Sequence, residues 1–278
     1  MYENDDFGMM GQVGGFETDA NLGMDGVQKN LMPLFLLVDT SGSMSGAKIE
    51  QVKTAVEEIK MQLNLLNTGN DDADIKISVL CFDDSPRWEA KMEDPALVNP
   101  DFRLGIMTNM GAAFIELEKM LSRSKLIQKG QCAGYKRAVM IQLTDGIPCD
   151  DVDGGVATLR TNKWFVKGTR IAFAIGSDAD TSCLEKFTGN PETVLQVNNM
   201  NLLSTILANV AVVASTTATH AAGTSSDDAT TQAQKDEEFR NSAEESANSV
   251  SNAIEQQVVE GKIDEDDAAA IFSGWEGM

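Results

Sequence analysis

Short apolar segments alternate with amphipathic segments along residues 31–215 of this 278-residue chain, and this alternation strongly constrains the fold. The segment "LFLLV" at 34–38 is a continuous apolar run, which is typical of a strand buried on both faces of a parallel sheet. The segment that follows at 48–66 repeats apolar residues every three or four positions, as an amphipathic helix does. Strands that alternate with helices predict an α/β fold: a doubly wound, mostly parallel sheet with helices on both faces.

The same alternation continues to residue 215. Further strands are predicted at 74–82, 87–92, 137–145, 169–176 and 193–197, and further helices at 111–127, 154–167, 181–189 and 201–215. Because it follows a proline, the segment 87–92 is predicted to be a short edge strand. Ligands of open parallel sheets bind beyond the carboxyl ends of the strands. Two predicted strands end in a carboxylate, Asp39 and Asp145, and both are therefore expected on that edge.

The charge of the chain argues against several classes of function. Its formal net charge is −21 and its pI is about 4.3, which opposes binding to nucleic-acid backbones and to anionic membranes. No run approaches the roughly 18 apolar residues of a membrane span, and the start "MYENDDFGMM" lacks the order of a signal peptide. Four cysteines without CxxC pairing indicate reduced thiols. We therefore expect a cytoplasmic protein that binds neither nucleic acid nor membrane.

The composition changes on both sides of the alternating domain at 31–215. Residues 1–30 are rich in Gly, Met and Asp and are predicted to form a flexible arm, and residues 216–235 have the composition of a linker. Residues 236–278 are an acidic, helical tail with a narrow apolar seam: Phe239, Ala243, Ala247, Val250, Ile254 and Val258. One helix cannot bury such a seam alone. Binding to a partner or a second copy, docking onto the main domain, and disorder all stay open.

A polar turn at 39–46, "DTSGSMSG", follows the first predicted strand and admits several interpretations. A phosphate-binding loop requires G-x-x-x-x-G-K-[ST], and the spacing of Gly42 and Gly46 does not match it. A serine nucleophile requires a nearby base, whereas the single histidine, His220, lies in the predicted linker. Helix capping by Ser45 is the simplest interpretation, but it needs only one hydroxyl.

A divalent-cation site accounts for more of the residues in this turn. Asp39, Ser41 and Ser43 alternate along the chain, so their oxygens can converge on one centre. One carboxylate with neutral hydroxyls suits a hard cation that keeps several waters, as Mg²⁺ does. Thr108 precedes the second predicted helix and Asp145 ends a predicted strand, so both offer further oxygens at the same edge.

The stretches "DTSGSMSG", "MTNMG" and "LTDGIP" resemble the three metal-binding loops of a von Willebrand factor A domain, and the resemblance covers roughly residues 31–215. It implies a metal-ion-dependent adhesion site that holds Mg²⁺, or Mn²⁺ or Ca²⁺ in its place. It also implies that a protein partner donates an acidic residue to the metal. The implied ligands are Asp39, Ser41, Ser43, Thr108 and Asp145.

One of these loops departs from the pattern of the family. Related loops often read Gly-Thr-Thr before the second helix, where this chain has Ile106, Met107 and Thr108. Thr108 is assigned because it directly precedes "NMGAAF", and Asn109 is the weaker alternative.

Within the family, "LMPLFLLVDTSGSMSG" and "LTDGIPCDD" resemble the bacterial TerY-type subgroup of cytosolic proteins associated with tellurite resistance and stress response. This resemblance implies a non-enzymatic interaction module, with a metal-dependent Ser/Thr phosphatase and a protein kinase as partners. An adaptor of an AAA+ ATPase, a metal-dependent hydrolase and a structural assembly subunit are the alternatives. The acidic tail lies outside the resemblance, so a role for it in partner binding or oligomerisation is inferred from its seam alone.

Several apolar residues lie beside the predicted metal loops: Met44, Met107, Met110 and Ile147. If exposed, they would offer an adaptable apolar surface around a docked acidic residue; if buried, they would fill the core. Their spacing does not decide between these roles. The acidic segments 150–155 and 264–276 match a calcium loop only in part and are interpreted as helix-start acids. Trp275 is either a partner anchor or a docked or exposed side chain.

Overall fold

A six-stranded sheet forms the centre of the protein in a computed structural model that describes residues 28–122, 125, 132–220 and 231–272. The strand order is β3-β2-β1-β4-β5-β6. β3 lies at one end of this order and is therefore the edge strand expected from the sequence. All neighbouring strands pair in parallel except β2 and β3, which are antiparallel. The strands are β1 (Asn30–Asp39), β2 (Ala73–Phe82), β3 (Pro86–Glu93), β4 (Val139–Thr144), β5 (Thr169–Ile175) and β6 (Val194–Val197).

Helices cover both faces of the sheet, which confirms the predicted α/β fold. One face carries α1 and α6, which pack against each other, and the other carries α2 to α5. The helices are α1 (Ala47–Gly69), α2 (Met110–Met120), α3 (Val152–Arg160), α4 (Lys163–Lys167), α5 (Thr181–Thr188), α6 (Met200–His220), α7 (Gln232–Val259) and α8 (Glu265–Phe272).

The central strand β1 explains why there are two cores. Its side chains alternate between the faces, as strand geometry requires, and every residue after Asn30 is buried. Leu34, Leu36 and Val38 belong to the core beneath α1 and α6, whereas Phe35 and Leu37 belong to the core beneath α2. The continuous apolar run in the sequence thus corresponds to a strand covered on both faces.

Some predicted boundaries differ from the structure. The helix predicted at 154–167 is two helices, because Asn162 interrupts it and its side chain accepts a hydrogen bond from the Trp164 N–H at the start of α4. The α6 helix continues to His220, five residues into the predicted linker. Several predictions fall on residues that the structure does not describe. These are residues 1–27 of the predicted flexible arm, residues 221–230 of the predicted linker, and Trp275. Residues 123, 124, 126 and 127, at the end of the helix predicted at 111–127, also lie outside the described residues.

By length and composition, the α6 helix could cross a membrane, although no such span was expected from the sequence. Its most apolar window has a mean hydropathy of 1.5. In the fold, 61% of that window is buried, and the helix packs against α1. These are the features of a core helix in a protein folded around its own sheet.

The apolar seam of the acidic tail is covered by the main domain. The seam residues from Phe239 to Ile254 are buried, and Val258 is partly buried against the same core. The α7 helix contacts α6, α4 and β5. Of the three outcomes left open by the sequence, docking onto the main domain is the one observed, so the seam is not available to a partner in this conformation.

Arg170 fastens α7 to the sheet. Its guanidinium is fully buried and donates hydrogen bonds to the Phe239 carbonyl (2.9 Å) and the Ser242 hydroxyl (3.0 Å) in α7. It also donates to the carbonyls of Phe165, Val166, Gly168 and Thr188. Burial lowers the pKa of Arg170 to about 9, because desolvation disfavours the charged form. The tail helix therefore supplies acceptors that a buried cation requires.

The α7 helix also covers an open edge of the sheet. β6 pairs with β5 only from Ala172 onward, which leaves the preceding backbone of β5 without a neighbouring strand on that side. The Ser246 hydroxyl accepts a hydrogen bond from the Arg170 N–H at this edge (3.2 Å). The side chain of Ser246 thus replaces a missing strand partner and protects the edge from unwanted pairing.

Replacing Phe239 by alanine tests whether α7 is part of the folded domain. The Phe239 ring is buried, and its centroid lies 4.0 Å from the Arg170 guanidinium carbon. We expect Phe239→Ala to lower the free energy of unfolding by about 3–5 kcal/mol in urea titrations, as for other buried aromatic residues. Val259→Ala is the control on the same helix, because Val259 is 87% exposed, and it should change stability by less than about 0.5 kcal/mol. Equal effects of the two substitutions would contradict the docked position.

Candidate metal centre

The predicted metal site lies where β1 and β4 end side by side. The two strands pair in parallel up to Val38 and Leu143, so the residues that follow each strand reach the same edge of the sheet. Asp39 is fully buried there, and Asp145 is almost so. The two carboxylates expected from the sequence are thus both placed at the carboxyl edge.

The Asp39 carboxylate is held by its own turn and by the neighbouring strand. Its Oδ1 accepts a hydrogen bond from the Ser41 N–H (2.8 Å), and its Oδ2 accepts one from the Thr144 hydroxyl (2.5 Å). Burial nevertheless raises the pKa of Asp39 to about 6, because desolvation of the ionised form outweighs these hydrogen bonds. A nearby cation would stabilise the ionised form of this buried carboxylate and would offset the free energy lost by its desolvation.

Two serines connect the first carboxylate with the second. The hydroxyl oxygens of Ser41 and Ser43 lie 3.0 Å apart, and the Ser43 hydroxyl donates to Asp145 Oδ1 at 2.7 Å. The alternation of Asp39, Ser41 and Ser43 in the sequence therefore does bring their oxygens to one side of the turn.

Gly146 shows how closely the three loops approach one another. A Cβ atom placed on this glycine would lie 3.3 Å from Thr108 Oγ1 and 3.8 Å from both Asp39 Oδ2 and Ser43 Oγ. The Asp39 and Ser43 oxygens belong to the first loop, the Thr108 oxygen to the second, and Gly146 itself to the third, so a side chain at position 146 would enter the space among these oxygens. The structure thus brings together all five residues predicted as ligands.

The donor set is suited to a hard cation. It consists of two carboxylates and three hydroxyls, and oxygen ligands of this kind fit Mg²⁺, Mn²⁺ or Ca²⁺ better than softer metals. Within the described part of the chain, no group of three or more His, Cys, Asp or Glu side chains could hold a metal ion. A site here would therefore depend on serine and threonine oxygens to complete its ligands.

Lys48 is a member of the site that the sequence analysis missed. It lies in the first turn of α1, and its ammonium group forms an ion pair with Asp145 Oδ2. Ser45 does not cap this helix: the N-cap residue is Gly46, in a positive-φ conformation, and no side chain caps the helix. The capping interpretation is therefore wrong for Ser45. No local pattern in the sequence links Lys48 to Asp145, which lies 97 positions further along the chain.

The loop that carries Thr108 is positioned by two aspartates after β2, which the sequence analysis also missed. The Asp84 carboxylate accepts a hydrogen bond from the Met107 N–H (3.0 Å), and the Asp83 carbonyl accepts one from the Asn109 N–H (3.1 Å). The Asn109 side-chain amide donates to the Asp84 carbonyl (2.9 Å). Asn109 thus stabilises the loop, whereas the Thr108 hydroxyl lies beside the Cβ position of Gly146.

Asp83 ties the same loop to the first turn. Its carboxylate accepts hydrogen bonds from the Thr40 hydroxyl (2.9 Å) and from Arg87 (3.1 Å). Burial alone would raise the pKa of Asp83, but these hydrogen bonds and the one from the Ser85 N–H hold the pKa below its ordinary value. The Gly105 N–H also donates to the Thr40 carbonyl (2.8 Å), so backbone and side-chain hydrogen bonds both join the two loops.

The third loop is joined to the second in a similar way. The Asp150 carboxylate accepts hydrogen bonds from the Gly111 and Ala112 N–H groups at the start of α2 (2.8 and 2.7 Å), and the Cys149 N–H donates to the Thr108 carbonyl (2.9 Å). Asp151 caps α3 through the Gly154 N–H. The interpretation of these acids as helix-start residues is confirmed.

The apolar residues beside the loops divide between core and surface. Met44 and Met110 are fully buried, whereas Met107 and Ile147 are exposed. Ile106, next to Met107, is 82% exposed. Met44 and Met110 therefore fill the core, whereas Met107 and Ile147 belong to the exposed surface beside the loops.

The fold and this oxygen-lined edge define an α/β domain with a ligand site at its strand ends. The family model of the von Willebrand factor type A domain matches residues 34–209, and the chain belongs to this family. No match was found among curated proteins.

Solved structures share the fold at low sequence identity. Proximal thread matrix protein 1 from the mussel byssus is 18% identical (TM-score 0.51), with 68% of this chain and 49% of that chain covered. A von Willebrand factor type A protein from Catenulispora acidiphila is 16% identical (TM-score 0.50; 68% and 43% covered). The pilus adhesin SpaC from Lactobacillus rhamnosus GG is 15% identical (TM-score 0.52; 69% and 32% covered). The chain spans about half or less of the length of these proteins.

The raised pKa of Asp39 predicts a pH dependence of stability in metal-free protein. Between its ordinary value of 3.8 and the folded value of about 6, the native state keeps a proton that the unfolded state has lost. The free energy of unfolding should therefore fall as the pH rises from about 4 to about 6, by up to about 3 kcal/mol. This contribution is fully present below that range and lost above it.

Urea unfolding in EDTA at several pH values measures this effect. Asp39→Asn is the matched control, because it cannot ionise, and its stability should lack this part of the decline. The same pH dependence in both proteins would contradict the assignment of the titration to Asp39.

Proposed function

We propose that this protein is a non-enzymatic, metal-dependent protein-interaction module. Asp39, Ser41, Ser43, Thr108 and Asp145 hold a Mg²⁺ ion, and a protein partner contributes an acidic residue to that ion. The observation that carries this proposal is the approach of oxygens from the first and second loops to the space beside Gly146 in the third, together with the hydrogen bond from Ser43 to Asp145. Membership of the von Willebrand factor type A family supports it, because domains of this family generally mediate protein interactions.

The charges of the site explain why a partner carboxylate would be accepted. Asp39 and Asp145 balance the two positive charges of Mg²⁺, while Ser41, Ser43 and Thr108 add oxygens without charge. Lys48 already pairs with Asp145, so the group retains a positive charge when the metal is bound. An incoming carboxylate is therefore attracted by the net positive charge of the whole site, which the neutral ligands do not reduce.

The resemblance to the TerY-type subgroup supports a more specific proposal. We place the protein in a bacterial stress-response or signalling complex in the cytoplasm, with a metal-dependent Ser/Thr phosphatase and a protein kinase as partners. Service as an adaptor of an AAA+ ATPase is the alternative within binding proteins. Genes encoded beside this one would separate the two: a kinase and a phosphatase favour the first, and an ATPase favours the second.

A hydrolase is less well supported, because the Asp145 carboxylate, which could act as a general base, is already engaged by the Ser43 hydroxyl and by Lys48. The single histidine, His220, ends α6 and lies near Asp72, just before β2 begins. This is the opposite edge of the sheet from Asp39. Turnover of phosphoesters that is lost in Asp39→Ala would support the hydrolase against our proposal.

Loss of a ligand should weaken metal binding. We expect Asp39→Ala and Thr108→Ala each to weaken Mg²⁺ binding by about tenfold or more in isothermal titration calorimetry. Asp178→Asn is the control, because Asp178 is an exposed carboxylate after β5 at the same edge, and its affinity should equal that of the wild type. Two variants are needed because Asp39 is buried and its removal can disturb the fold. Wild-type affinity in both folded variants would overturn the metal assignment.

Filling the space beside Gly146 should block the metal without removing a ligand. The added side chain of Gly146→Val begins 3.3 Å from Thr108 Oγ1 and points among the oxygens. We expect the loss of Mg²⁺ binding by calorimetry, with an unchanged far-ultraviolet circular dichroism spectrum. Gly69→Val serves as a control for an added side chain, because a Cβ atom there meets nothing within 4 Å. Undiminished Mg²⁺ binding by Gly146→Val would place the cation elsewhere.

Partner capture from a cell lysate should depend on the metal. We expect the immobilised wild type to retain a partner in Mg²⁺ and to release it in EDTA, and Thr108→Ala to retain much less. Retention that EDTA does not change would mean that partners bind away from the metal.

A further inference from the structure

Three exposed apolar side chains lie in the loops of the candidate metal site and form what we call the apolar collar: Ile106, Met107 and Ile147. They are 82%, 43% and 68% exposed. Ile106 and Met107 directly precede Thr108, and Ile147 directly follows Gly146, whose Cβ position lies beside three of the candidate ligand oxygens. Exposed apolar side chains grouped at a ligand site indicate a surface that is covered in a complex.

The collar and the cation together specify the chemistry of what covers them. A metal site with a net positive charge attracts a carboxylate, and apolar side chains in two of its loops favour apolar neighbours in the ligand. The best match is a short segment with an acidic residue directly beside large, adaptable apolar residues. Methionine suits such a contact because its side chain is flexible and polarizable.

The N-terminal segment of this chain has that chemistry. We propose that residues 3–10, "ENDDFGMM", bind the metal site of their own molecule through the Asp5 or Asp6 carboxylate, with Phe7, Met9 and Met10 on the apolar collar. Residues 1–27 contain six acidic residues and no lysine or arginine, so the segment complements the positive charge that the occupied site retains. This inference rests on the proposed metal-dependent function.

The length of the chain decides which acidic residues can reach the site. The described structure begins at Gln28, just before β1, and the site lies at the far end of that ten-residue strand. The distance is about 33 Å at 3.3 Å per residue. Asp6 is 22 residues before Gln28 and can span up to about 73 Å, whereas Asp25 is three residues away and reaches only about 10 Å. Asp5 and Asp6 therefore reach the site of their own molecule, and Asp25 does not.

Such an internal ligand would compete with the partner. The segment occupies the coordination position and the collar that a partner requires, so only the fraction of molecules with a free site is competent to bind. If the segment covers nine-tenths of the sites, the apparent affinity for a partner falls about tenfold. The N-terminal segment would then set the threshold at which a partner binds.

Paramagnetic broadening in the full-length protein tests this directly. Mn²⁺ replaces Mg²⁺ in the site, and the amide resonances of residues 3–10 are followed by nuclear magnetic resonance. We expect these resonances to broaden in the wild type and to recover in EDTA or in Thr108→Ala, and the Asp25 amide to stay sharp. We expect Asp5→Asn combined with Asp6→Asn to remove the broadening, and Asp25→Asn, the matched control, to keep it.

Competition by a synthetic peptide of residues 1–12 gives a second readout. We expect this peptide to bind the Asp5→Asn and Asp6→Asn double variant about tenfold more tightly than the wild type or Asp25→Asn. Bound Mn²⁺ without broadening of residues 3–10, or broadening that disappears on dilution, would overturn the internal ligand and leave the metal site intact. Failure of the wild type to bind Mg²⁺ or Mn²⁺ in calorimetry would instead overturn the proposed function itself.

Discussion

Parallel pairing of β1 with β4 is the constraint on which the rest of the structure depends. Because both strands run in the same direction and end in register, Asp39 and Asp145 meet at one edge of the sheet although 106 positions separate them in the sequence. Parallel strands need helical crossovers and burial on both faces, and this accounts for the continuous apolar run of β1 and for the complete burial of β4. The helices cover the faces and leave the carboxyl edge to loops. The candidate site is therefore a consequence of the topology.

The acidic residues near this edge have two distinct roles. Asp83, Asp84 and Asp150 accept hydrogen bonds from hydroxyl, guanidinium or backbone N–H groups and hold the loops in place. Asp39 instead is buried, and the desolvation of its ionised form raises its pKa. Its carboxylate lies beside the serine and threonine oxygens. The first group of carboxylates thus stabilises the loops, whereas Asp39 is available to bind a cation. A cation at Asp39 would offset a cost that the fold otherwise bears, which couples metal binding to stability.

Local patterns in the sequence were sufficient to predict the sheet and the edge strand β3, which depend on strand periodicity, and the approach of Asp39, Ser41 and Ser43, which alternate within one turn. Thr108 and Asp145 lie in distant loops, and the resemblance to the von Willebrand factor A domain was needed to include them in the ligand set. The features that were missed depend on contacts between distant segments. Lys48 meets Asp145 only after α1 folds against the sheet, and Arg170 finds its acceptors only after α7 docks. The apolar seam of α7 could be predicted from the sequence, but the surface that covers it could not. A narrow apolar stripe has the same pattern whether the domain itself or another protein covers it. The hydrogen bond from the Met107 N–H to Asp84 could not be predicted, because no periodic pattern in the sequence marks it.

The central claim is that a cation binds among the oxygens of three loops at the ends of β1 and β4. Anomalous X-ray diffraction from a crystal grown with Mn²⁺ tests it most directly, because the method locates the metal without any assumption about its ligands. The account predicts one strong anomalous peak beside Gly146, within coordination distance of Ser41, Ser43 and Thr108 and close to Asp39 and Asp145. A well-ordered site with no peak there, or a peak held by other residues, would contradict it.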